Sequence, residues 1–162
     1  MTTDTAATSP YYDALAAHDP AGLSAACTAD VVFNSPITTS IRFEGADELR
    51  YLFANVLEVY DEFHCVEETG SGDTRVVHMH ARIGPQELDE VQLLRLDGTG
   101  KVREITMFIR PLPGVTALAA GLGPRLARRH GRWRGLLAAL ATRPLALMTR
   151  AGDKPVTRLV GS

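Results

Sequence analysis

The 162-residue sequence predicts an α+β fold in which helices pack against one face of an antiparallel sheet. Three observations support this prediction. Helical patterns and one short strand come first along the chain, and four strand-like runs then follow one another. The turns between these runs are rich in glycine, as hairpin turns require. Within the runs apolar and polar residues alternate, so that only one face of the sheet has the composition of a buried surface.

The first part of the chain contains three helical patterns and one strand. A helix is predicted over 9–19, because a serine cap followed by proline opens an apolar stripe of helical spacing. An Asp-Pro pair ends this helix and starts a second short helix over 20–29. The stretch VVFNSP, residues 31–36, is predicted to be a strand that ends in a turn. A longer helix over about 46–60 carries an apolar stripe that would face the sheet.

Four strands are predicted over 63–72, 73–83, 87–97 and 101–112. The second and the fourth show the alternation that assigns faces. The inward set is Val77, Met79, Ala81, Ile83, Ile105, Met107 and Ile109. The outward set is Val76, His78, His80, Arg82, Glu104, Thr106, Phe108 and Arg110. A face of that mixed composition is typical of solvent or of a subunit interface. Asp89 and Glu90 lie near a hairpin end and are predicted to be solvated.

Charge is divided unevenly along the chain. Residues 1–111 hold 8 Lys/Arg and 18 Asp/Glu, whereas residues 112–162 hold 9 Lys/Arg and a single acid, Asp153. The balance is therefore −10 in the first part and +8 in the second, so the basic part is expected to contact its own acidic core or an anionic partner. Cys27 and Cys65 favour two reduced thiols in a cytoplasmic protein. Metal-ligand spacings and phosphate-binding glycine loops are absent from the sequence, and neither a metal nor a cofactor is expected.

Three stretches of the sequence resemble the SnoaL-like branch of the nuclear transport factor 2-like superfamily. They are YYDALAAHDPAGLSAACTADVVFNSP at 11–36, FEGADELRYLF at 43–53 and QLLRLDGTGKVREITMFIRPL at 92–112. The resemblance implies a cone-shaped, strongly curved antiparallel sheet wrapped by N-terminal helices, with an apolar pocket inside. Members of the superfamily include steroid isomerases, polyketide cyclases, epoxide hydrolases, dehydratases and non-catalytic binding proteins, so the fold does not define the function.

The same resemblance predicts the domain organisation and the assembly. A disordered lead-in is expected at 1–8, the cone domain at 9–112 and a basic helical extension at 113–162. Such domains are commonly homodimers that pair through the outer face of the sheet, and we expect a homodimer here.

Three residues fall at positions where the steroid isomerases keep their functional groups. The resemblance places Tyr11 at the phenol that polarises the substrate carbonyl, Ser35 at the proton-transferring carboxylate and Gln92 at the strand acid. A serine hydroxyl cannot take a proton from carbon without a neighbouring base, and an amide does not titrate. Tyr11, Ser35 and Gln92 are therefore weak catalytic candidates. Tyr11 could equally pack in the core, and Gln92 could hold either a backbone group or a ligand.

A pocket inside the cone is expected to be mainly apolar. The predicted lining is Tyr11, Phe33, Ser35, Phe53, Met79, Gln92, Leu94, Met107 and Ile109. Such a lining favours a flat or polycyclic hydrophobic ligand over a sugar or a nucleotide. The sequence thus predicts a protein that binds a small hydrophobic molecule, as a cyclase, isomerase or hydrolase of secondary metabolism. The alternative is a non-catalytic domain that binds a ligand or another protein.

The basic extension has three competing interpretations. Its first part, 115–122, is predicted to be a helix across the pocket mouth, and a second segment is predicted to start at Pro124. The extension could be a lid on the acidic core or on a partner subunit. Residues 124–162 could instead form an amphipathic surface for anionic membranes. With one aromatic residue and no recognisable binding motif, the extension is not expected to bind nucleic acid.

Overall fold

A computed structural model describes residues 8–39 and 42–128. The helices are α1 (Pro10–Ala16), α2 (Pro20–Ala25), α3 (Ala46–Leu57) and α4 (Leu112–Ala127). The strands are β1 (Cys27–Asn34), β2 (Arg42–Glu44), β3 (Glu62–Ser71), β4 (Thr74–Ile83), β5 (Gln86–Leu96) and β6 (Val102–Arg110). The predicted lead-in, apart from its last residue, and the extension beyond 128 lie outside the described residues.

The six strands form one curled, unclosed sheet in the order β2-β1-β6-β5-β4-β3. Strands β3 to β6 are consecutive antiparallel neighbours, as the hairpin turns predicted. The α+β fold class is confirmed, but the sheet is mixed, because β1 pairs in parallel with β6. The parallel pair is possible because β1 is separated from β6 by helix α3 and four strands, so no hairpin dictates its direction. The short strand β2, which was not predicted, extends this edge.

The helix starts follow from their capping residues. The Ser9 hydroxyl accepts a hydrogen bond from the Tyr12 backbone N–H at 3.1 Å, and Pro10 occupies the first position of α1. Asp19 caps α2 in the same way, through Ala21 at 3.0 Å. Helix α3 ends at Leu57, earlier than predicted, since the following residues turn towards β3.

The inner face of the sheet is the predicted one. Val77, Met79 and Ile105 are fully buried in one hydrophobic core with residues of the four helices, whereas Phe108 on the opposite face is 56% exposed. Alternation in the strands therefore predicted correctly which side is covered by helices. No helix among residues 8–39 and 42–128 is both long and apolar enough to cross a membrane.

Helix α4 lies closely against the interior. Its backbone approaches its neighbours at two glycines, where a Cβ atom on Gly121 would lie 2.6 Å from Val59 Cγ1 and one on Gly114 would lie 2.8 Å from Leu88 Cβ. The predicted helix over 115–122 is thus part of a longer one. The prediction that Pro124 starts a separate segment is wrong, because α4 continues through it to Ala127.

Candidate functional site

An apolar cavity of about 220 Å³ lies between β1, β6, α3 and α4. Its floor is aromatic, because Phe33 makes edge contacts with Phe43 and Phe53 at centroid distances of 6.1 Å each. Helix α4 covers it, as predicted for this part of the extension. The lining residues are Phe33, Ser35, Pro36, Ile37, Thr38, Phe43, Leu52, Phe53, Val56, Met107, Leu118, Ala119, Leu122, Gly123 and Leu126. None of these side chains titrates, so the cavity itself provides no acid or base.

The two side chains that follow one another at the end of β1, those of Asn34 and Ser35, lie on different faces of the sheet. Asn34 donates from Nδ2 to Glu104 Oε1 at 2.9 Å and to Thr106 Oγ1 at 3.1 Å, which belong to the outer face. Ser35 lies at the cavity rim, where its Oγ accepts a hydrogen bond from the Ile37 N–H at 3.2 Å. The Ser35 hydroxyl can therefore still donate its own proton to a ligand.

Tyr11 and Gln92 form a buried hydrogen-bonded pair. The Tyr11 hydroxyl donates to Gln92 Oε1 at 2.7 Å, and both side chains are essentially inaccessible to solvent. Burial raises the pKa of Tyr11 well above its ordinary value, so the phenol stays protonated. Gln92 Nε2 has no hydrogen-bond partner among the described residues. An unpartnered buried amide costs stability, which makes it a candidate donor to a ligand.

The Tyr11–Gln92 pair does not line the cavity. Gln92 is the register partner of Met107, whose side chain forms part of the cavity wall. Side chains directly opposite each other on one face of a sheet have Cβ atoms about 4.5–5.5 Å apart. The pair is therefore next to the cavity and separated from it by Met107.

A second tyrosine pairs with an acid that was expected to be solvated. That expectation is wrong for Glu90, which is 1% exposed and accepts a hydrogen bond from the Tyr60 hydroxyl. Burial raises the pKa of Glu90 to about 7. The signal was present in the sequence, because Leu88, Glu90 and Gln92 alternate on one face of β5. The nearby turn had suggested a solvated edge instead.

The remaining sequence candidates are distributed over several surroundings. Of the residues predicted to line a ligand pocket, Phe33, Ser35, Phe53 and Met107 line this cavity. Met79 and Leu94 are fully buried in the core and do not line it. Ile109 lines two other, more open pockets, one of about 630 Å³ that reaches the corner after β1 and one of about 450 Å³ on the side of Phe108. The cavity is thus displaced towards α4 from the predicted centre, because side chains fill the middle of the cone.

The histidines of β4 lie on the outer face, as predicted. His80 Nδ1 and His78 Nε2 lie 3.3 and 3.7 Å from Asp89 Oδ1, and Arg110 Nη2 lies 2.8 Å from Asp89 Oδ2. The hydrogen bond from His80 and the charge of Arg110 hold the pKa of Asp89 below its usual range. Within residues 8–39 and 42–128, no group of three or more His, Cys, Asp and Glu could hold a metal ion.

The two cysteines are unpaired. Burial raises the pKa of Cys27 to about 12 and that of Cys65 to about 11, so both are thiols at neutral pH. A role as a thiolate nucleophile is therefore not supported at either position.

The family model of the SnoaL-like domain matches residues 9–105. The chain belongs to the SnoaL-like domain family. The resemblance on which the sequence prediction rested is thereby confirmed. No curated protein matches this SnoaL-like chain.

Solved structures with the same fold include three that illustrate its range. A steroid delta-isomerase from Pseudomonas aeruginosa is 29% identical, with a TM-score of 0.67 over 74% of this chain and 88% of that one. An uncharacterized protein with a cystatin-like fold from Silicibacter pomeroyi is 22% identical, with a TM-score of 0.67 over 72% and 82%. An NTF-2 like protein of unknown function from Burkholderia xenovorans is 18% identical, with a TM-score of 0.54 over 62% and 77%. The last two are similar in fold alone.

Proposed function

We propose that this SnoaL-like domain binds a small hydrophobic molecule in the cavity between β1, β6, α3 and α4. The observation that carries the proposal is the apolar cavity under α4, with polar side chains only at its rim. Desolvating an apolar ligand against such a wall is favourable by roughly 25 cal/mol per Å² of buried apolar surface. At about 220 Å³ the cavity is smaller than the roughly 300–1,000 Å³ common for drug-sized ligands. The ligand is therefore small, unless α4 moves outward.

The polar groups around the cavity would orient this molecule. Ser35 is at the rim, and the Tyr11–Gln92 pair lies one side chain behind the wall. A catalytic role as an isomerase, cyclase or hydrolase draws support from the 29% identity to a steroid delta-isomerase. In that case the site would act mainly by holding a reactive conformer, since no acid or base lines the cavity. That same lack favours the alternative, a non-catalytic binding protein.

Methionine methyl resonances give a direct test of binding. Met107 lines the cavity, whereas Met79 is fully buried in the core and provides an internal control. In a protein labelled with ¹³C at the methionine methyl groups, cyclohexylmethanol should shift the Met107 signal and leave Met79 unchanged. Leu122→Trp, which fills the cavity, should abolish the shift, and Leu112→Trp at an exposed position should not. Equal shifts at both methionines, or none, would refute the proposed site.

Two further expectations concern partners. The outer face carries exposed Phe108 beside Val91 and Val76, a surface suited to pairing with a second copy of the chain. The second expectation is contact of residues 124–162 with anionic membranes, and residues 129–162 of that segment lie outside the described residues. Flotation with anionic vesicles, using the full chain and a chain ending at 128, tests that contact. Equal flotation of the two chains would refute the expected membrane contact.

A further inference from the structure

Glu90 is an ionisable group of the interior that the proposed binding role does not use. It lies on the inward face of β5, directly opposite Met79 on β4 and Ile109 on β6. Met107, two residues from Ile109 on the same face, is its diagonal neighbour and lines the cavity. Diagonal neighbours across antiparallel strands lie about 7–8 Å apart. Glu90 is therefore separated from the cavity by one unbranched, flexible side chain.

The carboxyl group of Glu90 has no cationic partner among the described residues. Its hydrogen-bond donor is the Tyr60 hydroxyl, and the described ion pairs do not include it. The tyrosines and thiols packed in or against the interior are Tyr11, Tyr12, Tyr60, Cys27 and Cys65. Burial raises the pKa of each of them, so they are uncharged at neutral pH. The half-buried carboxyl group of Glu68, whose Oε2 accepts a hydrogen bond from the Ser9 N–H, is a second acid and provides no cation.

The inward faces of the strands beside Glu90 contribute no positive charge either, since His78, His80 and Arg82 of β4 and Arg103 and Arg110 of β6 belong to the opposite face. The inward residues of β4 and β6 next to it are apolar. The first described cation of α4 is Arg125, which lies at the far end of the helix, 3.8 Å from Glu58. The described part of the chain up to residue 111 is strongly acidic, which adds to the negative potential inside. The interior therefore favours a positive charge and disfavours a negative one.

A ligand with a protonated nitrogen would supply the missing charge. An ionised carboxylate in apolar surroundings is costly when unpaired, and a charge-assisted hydrogen bond from an ammonium group offsets that cost. A carboxylate or phosphate ligand would be repelled instead. We propose that the cavity binds a small apolar molecule that carries a protonatable amine, with Glu90 as the countercharge and Tyr60 as the residue that positions it. This inference rests on the proposed function, because it requires a ligand in the cavity.

The inference implies a specific coupling to protons. Burial raises the pKa of Glu90 to about 7 in the absence of ligand, and an ammonium group beside it would lower that pKa. Binding an amine below about pH 7 therefore ionises Glu90 and releases a proton. The affinity for the amine should rise with pH up to about 7 and then level off until the amine itself loses its proton, near pH 10.

A matched pair of probes tests the inference. Cyclohexylmethylamine and cyclohexylmethanol have nearly the same shape and differ in charge. At about pH 8 the amine should bind about tenfold or more tightly than the alcohol, and the ratio should approach one at about pH 5. Calorimetry just below pH 7, in buffers of different ionisation enthalpy, should detect proton release with the amine and none with the alcohol.

Two variants separate the role of Glu90 from that of charge in general. Glu90→Gln should remove the preference for the amine and retain binding of the alcohol. Asp89→Asn makes the same change on the adjacent residue of the outer face and should keep the preference. The pH profile of the unmodified protein needs no variant, so the inference is testable even if Glu90→Gln does not fold.

The outcomes distinguish the two proposals. If the alcohol binds at the cavity and the amine binds no better at any pH, the amine inference is wrong and the proposed binding function stands. If neither probe binds, the proposed function itself is refuted, and the inference with it. A preference for the amine that survives Glu90→Gln would also overturn the inference, because another group would then provide the charge.

Discussion

Replacing Glu90 with glutamine should stabilise the protein relative to the unmodified chain, and this difference in the free energy of unfolding should grow as the pH rises. The side chain keeps its shape and an oxygen that can accept the Tyr60 hydrogen bond, but it can no longer ionise. In the folded protein burial raises the pKa of Glu90 from 4.5 to about 7. The unfolded chain loses the carboxyl proton near pH 4.5, whereas the folded protein retains it up to about 7. Unfolding therefore releases a proton in this window, and the stability of the unmodified protein falls as the pH rises through it.

The size of the effect follows from the same two values. Each unit of difference in pKa corresponds to about 1.4 kcal/mol, so that the carboxyl group costs about 3 kcal/mol of folding free energy above pH 7. Glu90 is 1% exposed, and solvent screening therefore reduces this figure little. Any contribution of the new amide NH₂ group is independent of pH. The free energy of unfolding of Glu90→Gln, relative to the unmodified protein, should thus increase by about 3 kcal/mol between about pH 4 and pH 8.

Urea unfolding followed by far-ultraviolet circular dichroism at several pH values measures this difference. Asp89→Asn is the matched control, since it removes a carboxylate from the adjacent residue on the other face of β5. The pKa of Asp89 is lowered, so its contribution to stability is present above about pH 4 and is lost as the pH falls. The control should therefore be less stable than the unmodified protein at neutral pH and should approach it in acid. Parallel pH profiles for Glu90→Gln and the unmodified protein would show that Glu90 is not buried without a countercharge.

Three further substitutions test the packing and the assembly. Tyr11→Phe leaves the Gln92 side-chain oxygen without a donor and should lower the free energy of unfolding in urea by about 1–3 kcal/mol. The control Tyr12→Phe should change it by less than about 0.5 kcal/mol, and equal effects of the two variants would contradict the buried pair. Gly121→Ala forces α4 away from Val59 and should lower the free energy of unfolding by about 1–3 kcal/mol and speed amide hydrogen exchange in α4. Gly98→Ala, which has open space around it, should do neither, and unchanged exchange in Gly121→Ala would mean that α4 is not closely packed. Phe108→Glu should weaken a homodimer formed through the outer face, so that light scattering reports a lower molar mass than for the unmodified protein. If the unmodified protein is itself monomeric, that dimer is excluded.

The sheet could be predicted from the local sequence because apolar and polar residues alternate along its strands with a period of two. Met79 and Ile105 were assigned to the interior by alternation alone, and both are fully buried. The hairpin turns are equally local, and their glycines have the positive φ angles that such turns use at Gly72 and Gly84. The parallel pairing of β1 with β6 joins Phe33 to Ile105, which are far apart in the sequence, and no short-range pattern predicts it.

The polar pairs of the site were less accessible to prediction for the same reason. Tyr11 and Gln92 are 81 residues apart, and only the family resemblance brought them together. Tyr60 and Glu90 have no counterpart in that resemblance, and their contact spans 30 residues. The turn preceding β5 was given more weight than the alternation within it. Strand β5 has eleven residues, and its fifth residue, Glu90, lies far enough from the turn to be buried in the interior.

The two tyrosine pairs share an arrangement that makes Met107 the decisive side chain of the site. In each pair a polar residue of β5 faces inward and is held by a phenol, which comes from α1 in one pair and from the connection between α3 and β3 in the other. Gln92 lies directly opposite Met107 and Glu90 lies diagonal to it, so the same side chain separates the apolar cavity from both. A methionine can change rotamer at low cost, whereas a β-branched residue there could not. With Met107 in place, the site would select ligands by shape and by the Ser35 hydroxyl at its rim. If Met107 turns aside, a ligand meets an amide donor at one position and a carboxyl group at the other, and chemistry as well as shape then determines what binds.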